Sequence, residues 1–425
     1  METETQIKES AIARGIKAVG VGKRGSKSLG ADLAQEILAE LKAGNVNPFA
    51  KGAFFGGLFI KGITQEESIL KSAFVNDEAL TDPKKLINEI APDASEFVKE
   101  ICIHLLQGKT LDVESAHRLG KFLFSNDPGD CARGLVASVL RVRYETPDEY
   151  DGLFRSMQET LEKPFREKAP SGDPIIQLAE PFDGVDNSYL ITPLLADYIQ
   201  SLGYRVVTIT GRNSGPKKGN TVLDLIKEMK IAPISENSEL GNPKPDFGWY
   251  INQENLSRAV DRWVDIRRQT IKRPFLSTLE KFMNPADAQI IITSAFHPPY
   301  TEKMITVAER AGFPAAIVMR NGQEGSLAFA LNRPVKVLCS AQQCEGEYKR
   351  HELELNPSEL LGFEIKMDEK LTQPSIAENA RLIRAYKEKG SSGNSSFDSR
   401  VKISRLGLQQ AIEWVAKNIG EKSCG

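Results

Sequence analysis

IIQLAEPFDGVDNSYLIT, residues 175–192, marks the point where the character of this chain changes and where its fold is decided. The uncharged run IIQLA (175–179) is too short for a helix and is ended by turn residues, so it reads as a buried strand. In EPFDGVDNSYLIT (180–192), Asp183-Gly184 and Asp186-Asn187-Ser188 have turn chemistry, and Thr192 stands where a helix begins. Working outward, 193–202 reads as a helix, RVVTIT (205–210) as a strand and 221–230 as a helix. QIIIT (289–293) follows as a strand, 300–311 as a helix, and 315–319 and 335–339 as further strands. SSGNSS (391–396) reads as a flexible loop, and 406–419 as a closing amphipathic helix. Strands alternating with helices predict an α/β domain, a mostly parallel sheet with helices on both faces.

Upstream the pattern is different. The first 165 residues show helical spacing, as in Leu33, Ile37, Leu38 and Leu41, or Val98, Ile101, Cys102 and Leu105, and no convincing strand alternation. The polar stretch 165–174, with its Pro and Gly residues, reads as a linker. The expected organisation is a helical domain over 1–165 and an α/β domain over 172–425.

The helical domain contains a repeat. GAFFGGLFIKGITQEE begins at Gly52, and its counterpart begins at Gly134 within RGLVASVLRVRYETPDE, an offset of 134 − 52 = 82. That offset also pairs Leu29 with Leu111, Ala34 with Ala116, Leu58 with Leu140, Lys61 with Arg143, Thr64 with Thr146 and Glu67 with Glu149, without a gap. Thr64 with Glu67, and Thr146 with Glu149, have capping-box spacing. Two related units, about 24–80 and 106–160, point to an internal duplication.

Bulk properties narrow the function classes. A chain of 425 residues with 40% hydrophobic and 26% charged residues is that of a globular protein of about two domains. No apolar run reaches the length of a membrane span, and the polar METETQIKES start has no apolar signal region, so a cytoplasmic protein is expected. The five cysteines (102, 131, 339, 344 and 424) form no CxxC pair, which fits a reducing compartment. Four histidines argue against a histidine-rich metal site. The net charge of −2 does not advertise nucleic-acid binding. One basic stretch, 258–273, does hold Arg258, Arg262, Arg267, Arg268, Lys272 and Arg273 against Asp261 and Asp265.

Ligands of doubly wound sheets sit beyond the C-terminal ends of the strands, so three loops are candidates. GRNSGPKKGNT (211–221) combines Gly211, Gly215 and Gly219 with Arg212, Lys217 and Lys218 and ends at a helix start with Asn220 and Thr221. Backbone N–H groups at a helix start beside cations suit a phosphate, although the same residues also make an ordinary solvated loop. The loop after 175–179 offers Asp183, Gly184 and Thr192, and RNGQEGS (320–326) offers Glu324. His297, in FHPPY just past QIIIT, is placed to touch a ligand or simply to pack beside a rigid diproline turn. Arg267 and Arg273 form either an anion clamp or a solvated helix face.

These pieces resemble anthranilate phosphoribosyltransferase and its relatives, the fold shared with pyrimidine nucleoside phosphorylases. GAFFGGLFIKGITQEE (52–67) is similar to the family's AAFLMALRxKGETxEE at Ala53, Phe54, Lys61, Gly62, Thr64, Glu66 and Glu67. Residues 267–285 are similar to RxxLGxRTxFNxLGPLxNP, with Arg267, Arg273, Leu279, Asn284 and Pro285 in register. The resemblance implies one helical unit, so this chain carries an extra copy, read as an added interaction surface. It also implies a phosphoribosyl donor, a homodimer and a place in tryptophan biosynthesis. Arg267 is the residue it implies for the acceptor, with Arg273, His297 and Glu324 in support. The phosphate set becomes Asp183, Gly184, Thr192, Gly211, Arg212, Asn213, Lys217, Lys218 and Thr221.

Three departures stand against that match. The glycine motif GTGGDG is AEPFDG (179–184) here, the second phosphate motif KHGNRxxSSxSG is ITGRNSGPKKG (209–219), and the family's Asp-Glu magnesium pair falls on Ser326, Leu327 and Ala328. Leucine and alanine cannot ligate magnesium. PFDG, FHPP and EGS fit a divergent group of anthranilate phosphoribosyltransferase-like proteins. Distant members of the fold bind nucleic acid, so three readings remain open: a pentosyltransferase, a nucleic-acid binder, and a regulatory ligand-binding homodimer.

Overall fold

The computed structural model describes residues 9–22, 25–217, 219–320, 324–343, 346–363 and 374–420. The chain divides into two compact units: Met1–Met157 with Arg262–Leu276, and Gln158–Asp261 with Ser277–Gly425.

The first unit is helical: α1 (Ala11–Val19), α2 (Ala31–Lys42), α3 (Pro48–Lys61), α4 (Pro83–Ile90), α5 (Glu96–Leu106), α6 (Val113–Phe124), α7 (Asp130–Arg143) and most of α8 (Pro147–Gln158). Local chemistry sets the starts. Asn47 accepts from Phe49 and Ala50 N–H ahead of Pro48, and Asp112 accepts from Ser115 N–H. The duplication is visible in the boundaries: adding 82 to α2 (31–42) gives α6 (113–124), and adding 82 to α3 (48–61) gives α7 (130–143).

It is visible in the hydrogen bonds as well. Glu67 is fully buried and accepts from Leu29 N–H (2.8 Å), Thr64 N–H (2.8 Å) and Lys61 Nζ (2.8 Å). Glu149, equally buried, accepts from Leu111 N–H (3.0 Å), Thr146 N–H (2.8 Å) and Arg143 Nη2 (2.5 Å). Every partner is shifted by 82. The capping box is completed in the second copy by Glu149 N–H on Thr146 Oγ1 at 3.2 Å. In the first copy a 3-10 helix (Glu66–Ala73) stands where α8 stands in the second.

The helix Trp263–Thr270 also belongs to this unit. Trp263 is fully buried, donates to the Leu123 carbonyl at 3.1 Å, and sits edge-on between the rings of Phe124 and Phe275.

The second unit carries a seven-stranded sheet flanked by helices: β1 (Ile175–Ala179), β2 (Arg205–Thr210), β3 (Trp249–Asn252), β4 (Ile290–Ser294), β5 (Ala315–Arg320), β6 (Val335–Gln342) and β7 (Tyr348–Leu355), in the order β3-β2-β1-β4-β5-β6-β7. β1 to β5 run parallel, and β6 and β7 are each antiparallel to the preceding strand. The expected α/β class and mostly parallel sheet are therefore present. β1, β2, β4 and all but the last residue of β5 are buried, as expected of strands covered on two faces.

The sequence reading missed the helix Ile376–Lys389, among others, and three further differences have a physical cause. β3 is a four-residue strand, too short to show a period. β7 is an edge strand whose charged face is solvated, so its YKRHELEL sequence has no apolar run to detect. The last helix begins at Ser395, inside the segment read as a loop. Asn394 caps it by accepting from Phe397 N–H, and Asp398 ties down Ser391 and Ser392.

Cys102, Cys131 and Cys339 are buried free thiols, while Cys344 and Cys424 lie outside the described residues. Among the described residues, no helix is long and apolar enough to cross a membrane.

Candidate functional site

Strand order reverses at β1, which has β2 on one side and β4 on the other. The crevice beyond the C-terminal ends of such strands is where ligands of open α/β sheets bind. In the second unit, the loops after β1, β2 and β5 meet around this position.

The loops after β1 and β2 are knitted together. Val185 and Asn220 exchange backbone hydrogen bonds of 2.9 and 3.0 Å. Gly184 has φ +74°, and any side chain there would strike the Gly219 and Asn220 carbonyls. Asn213 Nδ2 donates to Gly219 O (2.7 Å) and Asp183 O (3.4 Å), and its Oδ1 accepts from Gly215 N–H (3.0 Å). Phe182 is buried, with its ring over Gly211, where an added Cβ would lie 3.1 Å from the ring. Ser214 N–H closes the contact onto Phe182 O at 3.0 Å.

The loop after β5 is joined to the loop after β1. Glu324 accepts from the N–H groups of Asp186 (2.6 Å) and Asn187 (2.9 Å), from Asn187 Nδ2 (3.3 Å) and from Lys217 Nζ (2.9 Å). It adopts left-handed backbone, φ 54°, a conformation that a non-glycine residue keeps only when its surroundings hold it there. Burial pushes its carboxyl up, but the Asn187 N–H, the Lys217 ammonium and the Asp186 N–H outweigh that and hold it at about 2. Ser188 and Ser326 share a hydroxyl–hydroxyl bond of 2.7 Å, and Pro181 packs against Gly325.

Arg212, Thr221 and Thr192 have structural partners too. Arg212 grips the Asp261 carboxylate through Nε (3.1 Å) and Nη2 (2.8 Å). Thr221 caps the helix Val222–Glu228 through a reciprocal box with Asp224. Thr192 donates to Glu180. Lys218 lies outside the described residues. His297 is exposed against Phe296 at the start of the helix Pro299–Arg310. Arg267 and Arg273 belong to the helical unit, so the structure groups Glu324 with the phosphate-loop residues.

Within the helical unit, Arg267 is buried on the helix Trp263–Thr270. A cavity of about 430 Å³ in the same unit is lined by Asn47, Ser125, Asp130, Arg133, Arg262 and Gln269, among others, and not by Arg267. Part of the basic stretch is engaged locally: Arg262 donates to Ser125 O and Arg268 pairs with Asp265 (3.2 Å).

Glu180 was not picked out from the sequence. It follows directly on β1, is 2% exposed, and accepts from Thr192 Oγ1 and Leu327 N–H (3.2 Å). Burial pushes its carboxyl up to about 7, with the Thr192 hydroxyl and the Leu327 N–H pulling the other way. Its second oxygen has no protein partner, and neither do the Tyr250 hydroxyl, the Ser214 hydroxyl or the Gln253 amide. Burial and the Glu180 charge together raise the Tyr250 phenol. The one available sequence signal was an acid directly after five buried strand residues.

The loop after β5 offers little to a divalent cation. Leu327 and Ala328 are fully buried and apolar, and no group of three His, Cys, Asp or Glu among the described residues is arranged to hold a metal.

No protein-family model matches the chain. An uncharacterized protein of Aquifex aeolicus is 22% identical over 276 residues, covering 64% of this chain and 80% of that protein. The bifunctional protein TrpGD of Thermotoga maritima is 23% identical, over 61% of this chain and 42% of its own length. An anthranilate phosphoribosyltransferase of Geobacillus stearothermophilus is 21% identical, over 54% of this chain and 66% of that one. Among solved structures, anthranilate phosphoribosyltransferase from Thermus thermophilus matches with TM-score 0.55 at 18% identity, covering 76% of this chain and all of that one. The Saccharomyces cerevisiae enzyme in complex with PRPP and Mg matches with TM-score 0.50 at 12% identity, over 80% of this chain and 98% of that one. The fold is that of the anthranilate phosphoribosyltransferases.

Proposed function

We propose that this protein binds a phosphorylated small molecule of the phosphoribosyl type at the loops beyond β1, β2 and β5, and does so without magnesium-assisted transfer. The observation that carries the reading is the convergence of two consecutive N–H groups, Asp186 and Asn187, and the Lys217 ammonium on one anionic group. Such a set of donors suits a phosphate oxygen, and the Glu324 carboxylate stands in for it. The fold supports a phosphoribosyl donor as the ligand class, since a fold relative is described in complex with PRPP and Mg. Loss of transfer is supported by Ser326, Leu327 and Ala328 at the aligned metal positions, and by the bulk of Pro181 and Phe182 where the family motif has glycine. Departure of diphosphate relies on charge stabilisation that these residues do not supply.

The test is thermal denaturation with phosphoribosyl pyrophosphate, with and without magnesium. Ligand that binds only the folded state raises the melting temperature. The expected result is a rise of similar size in both conditions, with no product formed from anthranilate. Absence of a rise at millimolar ligand contradicts the binding claim, and magnesium-dependent turnover contradicts the second claim.

A further inference from the structure

The 82-residue offset is more than sequence similarity, because the equivalent helices α3 and α7 pack directly on one another. A Cβ added to Gly52 would overlap the carbonyl oxygen of Cys131, and a Cβ added to Gly134 would overlap the carbonyl oxygen of Phe49. Since 52 + 82 = 134 and 49 + 82 = 131, this is one contact made twice with the roles exchanged. Residue i of the first copy meets residue j of the second, and j of the first meets i of the second. That reciprocity is the signature of an isologous twofold interface. Two unrelated helices crossing in a core have no reason to produce it. The surroundings repeat too: α1 packs on α3 as α5 packs on α7, and Glu67 and Glu149 anchor matching loops.

We propose that the second helical copy occupies the place of a second subunit, so that the chain is a covalent pseudo-dimer through α3 and α7 and a monomer in solution. Residues 52–58 of α3 and 131–140 of α7 are buried without a break, so neither helix keeps a face for another copy of the chain. The partner that fits α3 is a helix of its own kind, and this chain already supplies it.

Light scattering on the intact protein tests the monomer. The expected mass is 47.0 kDa at every concentration, and a stable mass of twice that value overturns the proposal. A second measurement tests the pairing. A Cβ at Gly57 lies 3.0 Å from Ser138 Oγ, within disulfide reach. Oxidised Gly57→Cys/Ser138→Cys is expected to run as a single chain of altered mobility on a non-reducing gel. A disulfide-linked dimer contradicts the pairing. If that variant does not fold, the mass of the unmodified protein still decides.

Discussion

Glu180→Gln separates a buried carboxyl that titrates in the neutral range from one that does not. The carboxyl rises from its ordinary 4.5 to about 7 in the folded protein, mainly through burial. Between those values the folded state binds more protons than the unfolded state, so stability falls as pH rises. The favourable contribution is complete below about 4.5 and lost above about 7. The full shift corresponds to about 3 kcal/mol. Linkage over the window from pH 5 to pH 8 gives a loss of about 2–3 kcal/mol. Glutamine keeps an oxygen to accept from Thr192 and Leu327 N–H, and places an amide where the unpartnered Glu180 oxygen lies. The variant should therefore match the parent at pH 5 and exceed it by about 2–3 kcal/mol at pH 8. Denaturant unfolding followed by tryptophan fluorescence, with parent and variant compared at each pH, cancels the titration of all other groups. A stability difference that stays constant across the range would refute the assigned environment of Glu180.

The two buried carboxylates of the helical repeat give a matched pair. Glu67→Ala and Glu149→Ala each strip a largely enclosed cation and two N–H groups of their acceptor, and each should cost about 3–5 kcal/mol in denaturant unfolding. Unequal losses, differing by more than about 2 kcal/mol, contradict the equivalence of the two networks. Gly52→Ala and Gly134→Ala force the α3 and α7 backbones apart and should each destabilise by at least about 1–3 kcal/mol, with unchanged stability the contrary result. Glu324→Gln removes the tethered negative charge from the Lys217 and Asp186–Asn187 donors. Inorganic pyrophosphate should then raise the melting temperature more in the variant than in the parent, and an equal rise counts against Glu324 as a competing anion.

Periodicity exposed most of the sheet because β1, β2, β4 and β5 are short apolar runs bounded by turn residues. β3 was missed because four residues cannot show a period, and β7 because an edge strand need not be apolar. The duplication was legible because Glu67 and Glu149 are buried and make directional bonds to half-buried cations and to loop N–H groups, and so tolerate little change. The candidate site was harder to read. Arg212, Asn213 and Thr221 have the chemistry of a phosphate loop and also that of an ion pair, a turn and a helix cap, and residue type alone does not separate those uses. Asp261, which pairs with Arg212, lies 49 residues away, so no local pattern announces it. Glu324 was noticed as a carboxylate, but its partners, 107 and 138 residues distant, were beyond local reading.

Trp263 has a consequence for how the chain is made. The helical unit borrows residues 262–276 from beyond the first three strands, so its interior cannot close during synthesis until those residues have left the ribosome. A nascent chain of 165 residues would hold two complete helical copies with the Leu123 carbonyl and the Phe124 ring still uncovered. Such a fragment is expected to bind hydrophobic dyes, and that binding should vanish in the whole protein. The order of maturation is thus interleaved: the first part of the protein to be translated is not the first that can be finished.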